Sequence, residues 1–183
     1  HGLGLALEEV GDGVAQGAFV PLPISFPTGL MSGRFGPDGH LYVCGLFGWS
    51  SDKTDPGGFY RVRQVRAMSA VPIGYKPRAG RLEFEFAAPL DLESAQDPAN
   101  WQLEAWNYEW TERYGSPDFT IDGSPGRTPW TIERIEVSDD GRFVTLTVPA
   151  LEPVMQFHLT YDVRAADGMP VASFVHGTVN AVE

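Results

Sequence analysis

A chain of 183 residues that is 43% hydrophobic and 12% aromatic can bury one core or two small ones, which excludes a disordered segment. Its formal charge of −11, with no basic stripe, speaks against nucleic acid and anionic membrane surfaces as partners. A single cysteine, Cys44, excludes an internal disulfide, and the lack of an apolar run of roughly 18 residues excludes insertion by a helix.

The 21 glycines and 15 prolines accompany short apolar runs broken every ten residues or so, so the expected fold class is all-β. Residues 1–68 hold three strand-like runs: QGAFVPLPISF, GLMSGRFGPDGHLYVCGLFGW and GGFYRVRQV. The GPDG turn at 36–39 makes Gly33–Phe35 and His40–Val43 antiparallel neighbours, because Pro37 presets the backbone and Gly39 tolerates positive φ. Cys44, between apolar neighbours, is expected to be a small buried hydrophobe. Three or four strands make a propeller-blade-like sheet, and one blade cannot bury both faces. Residues 1–68 therefore pack against the rest of the chain or against blades beyond it. MSAVPIGYKPRAG, with Pro72, Gly74, Pro77 and Gly80, reads as a linker over 69–80.

Residues 81–183 alternate cleanly, as an antiparallel β-sandwich with one wet side requires. Leu82, Phe84 and Phe86 share one face of RLEFEF, and Val144, Leu146 and Val148 share one face of the next such run. In PVMQFHLTYDV an inner row of Met155, Phe157, Leu159, Tyr161 and Val163 is expected. Asp140-Gly141 and Asp167-Gly168 suit tight two-residue hairpins. Burying such rows contributes roughly 1.5–3 kcal/mol per large side chain.

From Leu82 onward the order of features, APLDLESAQDPANWQL, VSDDGRFVTLTV and LEPVMQFHLTYDVRAADGMPV, resembles a bacterial immunoglobulin-like family of surface and periplasmic proteins. Over nearly the whole chain, GRFGPDGHLYVCGLFGW, GGFYRVR, DPANWQLEAWNYEWTERYGSPDF and ADGMPV resemble the C-terminal end of large planctomycete-type proteins. Those proteins carry a sorbosone- or glucose-dehydrogenase-like β-propeller and often a c-type haem domain. The resemblance implies a propeller end followed by an immunoglobulin-like sandwich, an exported setting that is periplasmic, cell-surface or secreted, and the remaining domains of a parent protein as partners. It brings no catalytic site: haem attachment through C-x-x-C-H needs two cysteines, and a propeller centre would lie outside these residues.

The strongest unusual feature is NWQLEAWNYEWTERYGSPDF. Trp106, Tyr108 and Trp110 fall at every second position, with Tyr114 after them, and on a strand this makes a row of rings able to stack on sugars. Glu104, Asn107, Glu109 and Arg113 stand ready to bond hydroxyls. The alternative is that the rings fill the joint between sandwich and blade.

His1 offers a different chemistry, since an N-terminal histidine can hold copper when His40, His158 or His176 completes the set, as in polysaccharide-oxidising enzymes. A residual tag or cleavage point is the plainer reading of His1. Asp52 and Asp55, and Asp118 and Asp122, lie in loops that could take calcium, although neither has the spacing of a calcium motif. No G-x-S-x-G elbow or paired carboxylates mark an acyl-transfer or acid–base centre. The expected function is a non-catalytic β module for docking or carbohydrate binding, with no cofactor required. The alternatives are a copper enzyme acting on polysaccharide and the end of a propeller-type sugar dehydrogenase whose centre lies elsewhere.

Overall fold

Period-two patterning builds most of the regular secondary structure in the computed structural model, which describes residues 2–11, 13–47, 55–63 and 70–182. The chain divides into two compact units: His1–Gly4 with Pro21–Met68, and Leu5–Val20 with Ser69–Glu183.

The second unit is an antiparallel β-sandwich. One sheet has the order β1-β2-β13-β12-β8-β9, where β1 is Gly2–Gly11 and β2 is Val14–Ser25, of which Leu5–Val20 belongs to this unit, β8 is Trp101–Trp106, β9 is Thr128–Pro129, β12 is Val154–Arg164 and β13 is Pro170–Val179. The other has the order β10-β11-β7-β6, where β6 is Pro72–Arg78, β7 is Arg81–Phe86, β10 is Arg134–Val137 and β11 is Phe143–Thr147. Leu82, Phe84, Phe86, Val144 and Leu146 of one sheet and Leu103, Phe157, Leu159, Tyr161, Val163 and Val175 of the other meet in one buried core. A short helix, α1 (Leu92–Gln96), begins where the Asp91 side chain accepts the Ser94 amide and so caps it.

Three details depart from the pattern read in the sequence. The stretch 69–80 is not a linker, because β6 pairs with β7 along its length. Pro72 and Pro77 are tolerated there because β6 is the outermost strand, where a missing N–H need not break a ladder. The sandwich also takes in residues 5–20 of the segment expected to form a blade, since Ala18 and Phe19 of β2 pair with Gly177 and His176 of β13. Finally, Met155 is 43% exposed and Val154 takes the inner place, because the register of β12 against β13 shifts between Val154 and Phe157.

The Asp-Gly turns fall where expected but close longer connections. Val137 pairs with Val144, and the loop between them is closed by Ser138, whose amide donates to the Phe143 carbonyl. Gly141 there has φ of +72°, and its backbone lies so close to Leu90 that a Cβ would meet the Leu90 carbonyl at 2.7 Å. On the inner face of β13, Gly177 lies opposite Phe157, whose ring covers the space that a side chain would fill.

The first unit contains a three-stranded antiparallel sheet of β3 (Ser32–Phe35), β4 (Leu41–Leu46) and β5 (Gly57–Val62), in that order. The GPDG turn joins β3 to β4 as expected: Gly39 donates to the Gly36 carbonyl, and Asp38 accepts the His40 amide and the Tyr42 hydroxyl. One face centres on buried Val43 and on Phe26 packed against Tyr60. Cys44 is exposed, contrary to expectation, because Val43 takes the inward position and its neighbour must point the other way.

Candidate functional site

Alternation along β8, β12 and β13 sends Trp101, Leu103, Phe157, Leu159 and Val175 into the core and their neighbours outward. The register then sets Trp106 beside Gln156, Glu104 beside His158, and His158 beside His176 on the outer face. Residues more than fifty positions apart thus become one cluster.

Arg127, which precedes β9, closes this cluster. Its guanidinium carbon lies 3.9 Å from the centre of the Trp106 ring. Its Nε donates to Asp118 at 2.7 Å and its Nη1 to Glu104 Oε1 at 2.5 Å. The same Glu104 oxygen is 3.5 Å from His158 Nδ1. The His158 and His176 rings stack with centroids 4.3 Å apart, Phe174 sets its edge against both, and Trp106 meets His176 edge-on. Burial first, then the neighbouring His158 and Arg127, holds His176 below the ordinary imidazole value, which favours its neutral form.

Of the histidines expected for copper, His158 and His176 come together among the described residues. His1 lies outside the described residues, and His40 sits in the β3–β4 turn against Asp38. Stacked imidazoles direct their in-plane lone pairs side by side rather than to one point. Among the described residues no three His, Cys, Asp or Glu side chains converge as metal ligands. For calcium, Asp118 is engaged by Arg127, and Asp122 accepts from Thr120 Oγ1 and the Ser124 amide, bonds that hold its carboxyl below the usual range. Asp52 lies outside the described residues and Asp55 is exposed.

The expected row of rings does not form. β8 ends at Trp106, and Asn107 then pairs with Phe119 through two backbone bonds, which throws residues 108–118 out of the sheet. The excursion is pinned at its base: the Tyr108 amide donates to Met155 Sδ, the Glu109 amide to Ser116 Oγ, and Ser116 Oγ to the Pro117 carbonyl. Trp106, only 7% exposed, belongs to the Arg127 cluster, whereas Trp110 is 98% exposed, Tyr114 is fully exposed and Tyr108 is partly so. Tyr108, Glu109, Trp110, Thr111, Arg113, Ser116 and Asp118 line a cleft of 340 Å³.

A second cleft, of 490 Å³, runs beside β8 and is lined by Gln102, Glu104, Pro129, Trp130, His158 and Thr160, among others. Arg127 bonds to a wall residue of each cleft, Glu104 of one and Asp118 of the other. Sequence reasoning missed Arg127 and the second cleft, because nothing local in GSPGRTPW shows that Arg127 returns to Trp106.

No family model matches the chain, and neither a curated protein nor a solved structure matches it.

Proposed function

We propose that the chain is a non-catalytic β module that binds carbohydrate, with Trp110 and Tyr114 as its stacking surfaces. The observation that carries this reading is the exposure of two large rings on an excursion whose base is pinned by hydrogen bonds. Rings in water gain nothing from the fold, and flat apolar sugar faces pack on such surfaces. The neighbouring cleft adds Glu109, Thr111, Arg113 and Ser116 as groups able to bond hydroxyls.

The test is retention of the full chain on insoluble cellulose, chitin and xylan, compared with Trp110→Ala and Tyr114→Ala. Retention of the unaltered chain on at least one polymer, lost in the variants at unchanged stability, is expected. No retention on any of them, or equal retention of the variants, rejects the reading.

A second reading is favoured by the open face of the β3-β4-β5 sheet, where Phe59 is 72% exposed alongside exposed Leu46 and Cys44. A sheet that leaves large apolar side chains exposed on one face suits a blade that continues into further blades of an exported parent protein. A longer native chain in which Phe59 and Cys44 become protected from labelling would support it. Unchanged labelling would remove it.

A further inference from the structure

We infer that the cleft beside β8 is a second saccharide position, which takes a neutral polyhydroxylated ring whose hydroxyls bond to Trp130 and His158. The inference extends the carbohydrate reading to a new place and stands on different atoms from the exposed rings.

Two residues lining this cleft each bury a polar atom that has no hydrogen-bond partner among the described residues: Trp130 Nε1 and His158 Nε2. Trp130 is only 4% exposed, so water does not serve its N–H from outside. A buried polar group without a partner destabilises the fold, because it gives up its bonds to water and gains none in return. Two such atoms, just beneath the wall of one cleft, mark where a ligand's polar groups gain most once they are uncovered.

The pair also selects the ligand's chemistry. An indole N–H can only donate. His158 holds Nδ1 at 3.5 Å from Glu104 Oε1, and that carboxylate favours the proton on Nδ1, which leaves Nε2 as an acceptor. The ligand must therefore accept at one point and donate at another. A hydroxylated ring does both, whereas a carboxylate cannot donate and would face Glu104, and an ammonium cannot accept from Trp130. Glu104 is already engaged by Arg127, so a neutral ligand leaves that pair undisturbed. Pro129 and Trp130 offer apolar surface to the ring, and Gln102 and Thr160 offer further polar groups. Both unpaired atoms are closed to solvent, so engagement includes rotamer shifts of lining side chains, as is common on binding.

The test uses the full chain with assigned indole N–H and imidazole signals in nuclear magnetic resonance, titrated with glucose, xylose and their short β-linked oligomers. Saturable shifts of Trp130 Nε1–H and His158 are expected, with affinity about tenfold weaker in His158→Leu and in Trp130→Phe, the loss of one such bond. Should Trp130→Phe unfold, the partly exposed His158 variant still decides. Absence of Trp130 and His158 shifts with every saccharide overturns the inference, whatever Trp110 does. Equal shifts with acetate or methylammonium overturn the assigned chemistry. Trp130 shifts with a silent Trp110 uphold this cleft while removing the exposed-ring reading, so the two fail separately.

Discussion

His158 and His176 lie face to face across the β12–β13 ladder, their rings 4.3 Å apart at the centroids and 16° from parallel. Two imidazolium ions cannot share that spacing without repulsion, and Arg127 adds a third cation beside one shared carboxylate, Glu104. The folded chain holds His176 below its ordinary value, so the unfolded chain binds its proton more readily. Stability is then fully present above the unfolded value of about 6.5 and is lost as pH falls through that value toward the folded one. Urea unfolding between about pH 7.5 and pH 5, where carboxylates stay ionised, should show the midpoint falling on acidification, and His176→Gln should flatten the slope. A midpoint that rises or stays level in the unaltered chain contradicts this.

Gly177→Ala should destabilise the sandwich by about 1–3 kcal/mol, since its Cβ would enter the space of the Phe157 ring. Phe157→Leu opens that space, so the double variant should lose less than the sum of the single losses. Additive losses in denaturant titrations would show that the ring and the glycine do not share one volume.

Arg127→Ala should leave the fold intact, at a cost of about 1 kcal/mol, because its ion pairs are more than a third exposed. The larger effect should be local, with red-shifted and more readily quenched fluorescence as the Trp106 ring loses its cover. Arg127→Lys should restore little, because a single ammonium cannot stack on the indole and reach Glu104 and Asp118 together. Full recovery in the lysine variant would reduce the cluster to simple charge.

Cys44 should react with a thiol-specific disulfide reagent in the native chain as fast as in denaturant, to within about tenfold, since it stands on the outward face of β4. Protection by several orders of magnitude would mean that this face is covered.

How much of this was legible in the sequence depends on range. Leu82, Phe84 and Phe86, with Val144 and Leu146, announced their inward rows because alternation is a local signal, and the core follows it. Met155 escaped because a one-residue shift inside β12 inverts the parity, and no residue in PVMQF marks the bulge. Trp106, Tyr108 and Trp110 looked equivalent because spacing alone cannot say where a strand stops; the stop is made by Asn107 and Phe119, twelve residues apart. The Glu104–His158–His176 grouping depends on the pairing of three strands, which no single segment encodes.

The prolines of β6 have a consequence for the chain's colloidal behaviour. Pro72 and Pro77 remove two donors from one border of the four-stranded sheet, and Arg134 and Glu136, paired side by side on β10, place charge along the other. A second molecule seeking to extend either border into a fibril therefore meets missing amides on one side and hydrated ions on the other, which leaves that sheet a poor seed for cross-β growth in concentrated solution.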